Sequence, residues 1–63
     1  MSEVVGARYR RVGERWPVYR VIRTIEFQHH PTHVVMVAEN DERRTITIGE
    51  GELFDRRQWG EVD

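Results

Sequence analysis

The sequence predicts an all-β fold, a small barrel of four to five short antiparallel strands with one short helical turn near the C-terminus. Three observations carry that expectation. Between Val18 and Phe27, Tyr19, Val21, Ile25 and Phe27 recur with a period of two, interrupted on that face only by Arg23, which is the period of a strand and not the 3.6 of a helix. Val34-Val35-Met36-Val37 forms a short apolar run bounded by turn-forming residues, as a strand covered on both faces would. The chain has 63 residues, of which 33% are charged, so it is one small domain, residues 1–63, with a thin core. At this size folding hides only roughly 60% of the surface that the unfolded chain exposes.

Each element has its own signal in the sequence. Gly6 to Val12 places Ala7 and Tyr9 on one side and Arg8, Arg10 and Val12 on the other, a mixed face that fits an edge strand. Gly13-Glu14-Arg15 makes the turn, and Pro17 opens the long strand, where its missing amide hydrogen costs little. From Val18 to Phe27, Tyr19, Val21, Ile25 and Phe27 share one face with Arg23. Arg20, Thr24 and Glu26 share the other with Val18 and Ile22. Gln28 to Thr32, with Pro31 unable to donate to a ladder, is a hairpin loop.

His33 to Glu39 is then the central strand. Asn40-Asp41-Glu42 is a turn, because Asn and Asp side chains bond the local backbone. Arg43 to Ile48 follows with Ile46 and Ile48 inward and Thr45 and Thr47 outward. Gly49-Glu50-Gly51 ends that strand. Glu52 to Trp59 is too short for a free helix, yet it carries Leu53, Phe54 and Trp59 for burial, so one helical turn across the barrel mouth is expected. Gln58 to Val62 supplies a last short strand.

The order Gly6-x-x-Tyr9-Arg10, then Val18-Tyr19-x-Val21, then Gly51-Glu52-Leu53-Phe54 resembles that of uncharacterised bacterial SH3-like small-barrel domains. In those domains a Gly-x-x-Tyr strand leads and a Leu-Phe turn near the end caps the barrel. The resemblance spans most of the chain. It implies the Tudor- and KOW-like class of small barrels, whose members bind nucleic acid or peptides.

Composition removes several functions. There is no cysteine, so neither a disulfide framework nor a thiolate metal site is available. No apolar run approaches the ~20 residues that span a bilayer, and Met1-Ser2-Glu3-Val4-Val5 lacks the basic-then-apolar pattern of a signal peptide. No membrane association is expected, and the expected location is cytoplasmic. Enzyme activity is not expected either: the sequence has no phosphate-cradling glycine loop, no Gly-x-Ser-x-Gly elbow and a single serine, Ser2. A domain this thin leaves little room for a water-excluding pocket, so no small-molecule substrate is evident and no cofactor is expected.

Two constellations remain. His29-His30-x-x-His33 brings imidazoles, the commonest metal ligands, close together, but no fourth ligand is fixed beside them, so they read as a polar hairpin tip and no metal is assigned. The second is arginine with aromatics. All ten basic residues are arginine. Residues 1–25 hold six arginines against Glu3 and Glu14, a net of +4, while residues 26–63 hold four against nine acids, a net of −5.

The overall charge of −1 therefore conceals a basic first part. A candidate binding face follows: Arg8, Arg10, Arg11, Arg15, Trp16, Arg20 and Arg23. Guanidinium forks grip phosphate with paired hydrogen bonds, and exposed aromatic rings stack on bases. The expected function is a non-enzymatic binding module that contacts a nucleic-acid backbone or an acidic protein surface. The alternative is a protein–protein or homodimerisation module using an aromatic groove, with the acids Glu39, Asp41 and Glu42 selecting basic partners. Asp55-Arg56-Arg57-Gln58-Trp59 reads as a solvated face of the helical turn.

Overall fold

The computed structural model describes residues 4–62. Met1 to Glu3, where a leader would begin, and Asp63 lie outside it. Five strands and one short helix run in the order β1 (Arg8–Arg11), β2 (Tyr19–Ile25), β3 (His33–Ala38), β4 (Asp41–Gly49), α1 (Glu50–Leu53) and β5 (Trp59–Val62). All strand pairs are antiparallel and form one sheet in the order β4-β3-β2-β1-β5. The expected all-β character, the strand number and the late helical turn are present. The sheet is open, with β4 and β5 as its edges, so closure into a barrel is not seen.

β1 is not the edge strand that its mixed faces predict. It pairs with β2 through Arg8↔Arg20 and Tyr9↔Tyr19, and on its other side with β5 from Arg8↔Val62 to Arg11↔Trp59. Edge assignment from composition fails here because β5 returns from the far end of the chain to cover it. The pairing continues beyond β1: the Gly6 amide donates to the Val21 carbonyl at 2.8 Å, and the Val21 amide donates to Ala7 at 2.9 Å.

The alternation in β2 breaks at one residue. Val21 pairs with Met36, but the next partner pair is Arg23 with Val35, so Ile22 is an extra residue, a β-bulge. Beyond the bulge every side chain changes face. Arg23 and Ile25 join Arg20 on the outer face instead of lying with Tyr19 and Val21, and Thr24 moves opposite Val34. Phe27, expected inside, lies outside the strand and is 57% exposed.

The core lies on the other face of the sheet. Tyr9, Tyr19, Val21, Val34, Met36, Ala38, Leu53 and Trp59 form it together with Val4, and Ala7, Ile46 and Ile48 pack against its rim. β3, expected as the central strand, has neighbours on both sides, and its outer residues Val35 and Val37 are also buried. They stand between Arg23 and Arg20 of β2 and Thr47 and Thr45 of β4, flanking side chains whose aliphatic stems can cover apolar surface.

α1 has Gly49 at its N-cap without a side-chain cap bond, and Glu50 and Glu52 in its first turn suit the positive end of the helix dipole. The Glu50 amide donates to the Thr32 carbonyl at 2.9 Å and ties the turn to the β2–β3 loop. Leu53 points into the core and is 1% exposed. Phe54 was expected to be buried with it but is 48% exposed, because one residue on a helical path turns the side chain by about 100°. No helix among the described residues is long and apolar enough to cross a membrane.

Candidate anion-binding cleft

Residue parity in β1 divides the arginines between two faces. Arg8 and Arg10 share the outer face with Arg20, which lies directly opposite Arg8. The bulge at Ile22 adds Arg23 to that face. Arg11 falls on the other side, where its guanidinium carbon lies 4.6 Å from the centre of the Trp59 ring. The candidate face is therefore not one surface.

Arg8 is engaged by an acid. Its Nε donates to Glu39 Oε2 at 2.8 Å and its Nη2 donates to Oε1 at 3.0 Å, a fork-on-carboxylate pair. This holds the Glu39 carboxyl below its ordinary pKa, chiefly through the hydrogen bond from Arg8, with a smaller contribution from the charge of Arg20. The Arg8 end of the outer face is thus partly neutralised.

Arg10, Arg11 and Arg15 border one site, although the Arg11 guanidinium itself lies over Trp59. They line one depression of about 400 Å³ with Val12, Gly13, Glu14 and Gly60. A tight turn makes this possible. The Glu14 amide donates to the Arg11 carbonyl at 3.1 Å, and Gly13 supplies the positive φ of 88° that the reversal needs. Gly60 sits opposite Arg10 on β5, and its missing side chain leaves the floor open.

Among the described residues, no carboxylate lies within 4.0 Å of the guanidinium of Arg10, Arg11 or Arg15. Arg43 and Arg57, by contrast, pair with Asp41 and Asp55 at 3.4 and 3.2 Å. Trp16 follows Arg15 in the same loop and is 66% exposed.

Two features have no signal in the sequence. Arg44, from the acidic part of the chain, places its guanidinium carbon 6.0 Å from the centre of the Tyr19 ring. Tyr19 meets Trp59 edge to face at 5.8 Å, so two arginines from distant strands flank one aromatic pair. The second feature is another depression, about 550 Å³, between α1 and the β1–β5 ladder, lined by Tyr9, Leu53, Phe54, Arg56, Trp59, Gly60 and Glu61. Burial, with the nearby charge of Glu61, pushes the Tyr9 hydroxyl up from its ordinary pKa.

Asp55 builds the turn that delivers Trp59 to the core. Its backbone carbonyl accepts from the amides of Gln58 and Trp59 at 2.9 and 3.0 Å, and its carboxylate accepts from the Arg57 amide at 3.0 Å and from Gln58 Nε2 at 3.1 Å. The Asp55 carboxyl is held down at about 2, first by the side-chain hydrogen bond from Arg57 and next by the Arg57 amide. The Trp59 Nε1–H is buried and has no partner among the described residues.

The three histidines serve the hairpin tip. His33 Nδ1 lies 2.9 Å from the Pro31 carbonyl, the His30 ring meets Phe27 edge-on at 6.3 Å, and His29 has a positive φ of 68°. Among the described residues, no group of three or more histidines and carboxylates is arranged to hold a metal ion. No protein-family model, curated protein or solved structure matches this chain.

Proposed function

We propose that this chain is a non-enzymatic binding module of the SH3-like small-barrel type, and that the cleft of Arg10, Arg11 and Arg15 holds the phosphates of a nucleic-acid backbone. The strand order supports the fold assignment: four strands meander, α1 follows β4, and β5 returns to pair with β1. The bulge at Ile22 supports it too, since a bulged strand bends and twists more strongly than a regular one.

One observation carries the functional reading. Arg10, Arg11 and Arg15 line one depression, and among the described residues none of them has a carboxylate within 4.0 Å, Glu14 of the same lining included, while Arg8, Arg43 and Arg57 each have one. Three arginines against the single acid Glu14 leave a local positive excess, and a positive potential selects phosphate over neutral ligands. The overall charge of −1 matters less than this local excess.

A second reading is favoured by the other depression. Phe54 is exposed at its rim, with Arg56 and Glu61 beside it, which suits an extended peptide. Retention on immobilised heparin separates the two readings. The phosphate reading predicts retention at low salt that disappears in an Arg10→Ala/Arg15→Ala double variant and persists in Phe54→Ser. A wild-type chain that flows through at low salt contradicts it.

A further inference from the structure

We infer that the arginine cleft takes a single-stranded nucleic acid, with a phosphate held by Arg10 and Arg15 and the neighbouring unpaired base stacked on Trp16. This rests on the phosphate reading above and adds the form of the ligand.

Trp16 is the starting point. A chain with so thin a core buries one tryptophan, Trp59, and leaves the other 66% exposed. An indole is the largest apolar side chain available, and the fold gains little from one left in solvent. Trp16 adjoins Arg15, with about 3.8 Å between their Cα atoms, and Arg15 lines the cleft. On its other side Pro17 restricts the backbone, and Val18 and Tyr19 are buried. Trp16 is therefore one residue away from a cleft-lining arginine, on a short stem anchored by the buried residues that follow it.

The cleft itself is partly preorganised. Arg11 lies against the Trp59 ring at 4.6 Å, which anchors the end of β1 to the core and leaves Arg10 and Arg15 as the arginines that meet the anion. The Val12 to Arg15 turn is closed by its own hydrogen bond. A backbone phosphate is bound well by such forks, and a base displaced beside it meets a flat aromatic surface.

Shape and chemistry exclude the duplex as the preferred form. A duplex is read by a convex element, a helix or a β-ribbon, entering a groove about 12 Å wide. This site is a shallow, open depression of about 400 Å³ and offers no projecting element to a groove. Base faces inside a duplex are already stacked, so Trp16 would contribute nothing there. Every base has a π face once it is unpaired, so stacking on Trp16 would be tolerant of sequence.

Tryptophan emission of the full 63-residue chain tests this directly, because Trp16 is exposed and Trp59 is buried. The probes are oligo-dT and oligo-U of about 12 nucleotides, within the span of known single-strand sites, together with a blunt duplex of equal length, heparin and poly-glutamate. The two oligomers distinguish DNA from RNA as the source. Both single strands, or one of them, should quench the emission and bind at least ~10-fold more tightly than the duplex at the same salt.

In Trp16→Ala the quenching should vanish and single-strand affinity should fall by ~5- to 150-fold, the range expected for loss of one base stack. Heparin binding should stay unchanged, and Trp16→Phe should recover most of the single-strand affinity. Far-UV circular dichroism checks that both variants fold.

Duplex binding as tight as single-strand binding, or a Trp16→Ala variant with unaltered single-strand affinity, overturns this inference and leaves the phosphate reading intact. Binding to poly-glutamate without binding to either oligomer overturns it in favour of an acidic protein. No binding to any of these polyanions overturns both readings together.

Discussion

Arg11 and Trp59 face each other across the β1–β5 ladder, and the guanidinium carbon of Arg11 lies 4.6 Å from the centre of the indole ring. The pair joins the core to the cleft. Trp59 is 1% exposed, and it packs edge to face against Tyr19. Trp59→Ala should cost about 3–5 kcal/mol, comparable to the whole stability of a small domain, so the variant should show no cooperative thermal transition. Arg11→Ala should lose only about 0.5–1 kcal/mol, the worth of an exposed cation–π contact. Urea titration followed by circular dichroism measures both.

Leu53 and Phe54 are adjacent but not equivalent. Leu53 belongs to the core and Phe54 stands at the rim of the second depression. Leu53→Ala should destabilise by about 2–5 kcal/mol through the cavity it leaves. Phe54→Ala should stay within about 0.5 kcal/mol of the parent, as surface substitutions do. Parallel thermal melts give the comparison.

Asp55 should titrate with a midpoint at about 2, against an ordinary carboxyl value of 3.8. The folded-state pKa is depressed, so its contribution to stability is present above the unfolded value and is lost as pH falls through the window from 3.8 towards 2. A carboxyl-carbon NMR titration should find that midpoint in the parent. In Arg57→Ala it should rise, since the Arg57 side chain is the largest cause of the depression. An unchanged midpoint in Arg57→Ala would show that the pair at 3.2 Å does not form in solution.

Ile22 is the bulged residue, and as an extra position it has no partner in β3. Replacing it should be cheap: Ile22→Thr is expected within about 0.5 kcal/mol, given its exposure. Deleting it should preserve the faces too: with Val21 joined to Arg23, the partners Met36 and Val35 follow without a break, and Arg23 and Ile25 keep the outer face. The deletion variant should therefore still unfold cooperatively, while an inserted residue after Ile22, which shifts the parity, should abolish the cooperative transition.

Much of the fold is legible in the sequence because it is local. Alternation marks β2 as far as Val21, the apolar run marks β3, and Gly49 to Gly51 marks the end of β4. What the sequence hides is either a single-residue irregularity or a contact between distant segments. One bulge moves Arg23 and Ile25 to the outer face, and no residue type announces it. β1 looks like an edge because β5, which covers it, lies some fifty positions later in the chain.

The candidate site was legible in composition but not in geometry. The arginines of the first part and the exposure of Trp16 follow from the sequence. Their division does not, because adjacent strand residues point to opposite faces: Arg10 faces outward while Arg11 covers Trp59. The pairing of Arg8 with Glu39, and the placing of Arg44 over Tyr19, need the folded sheet.

The salt dependence of nucleic-acid binding tests the central claim most directly. Each phosphate contact contributes about 0.7 to the slope of log affinity against log salt for a single strand. An Arg10→Ala/Arg15→Ala variant should lower that slope by about 1.4, on the same constant, while an Arg43→Ala/Arg57→Ala variant, which removes the same charge from arginines already paired with Asp41 and Asp55, should leave it unchanged. Equal slopes in the two variants would contradict the assignment of phosphate binding to the β1–β2 cleft.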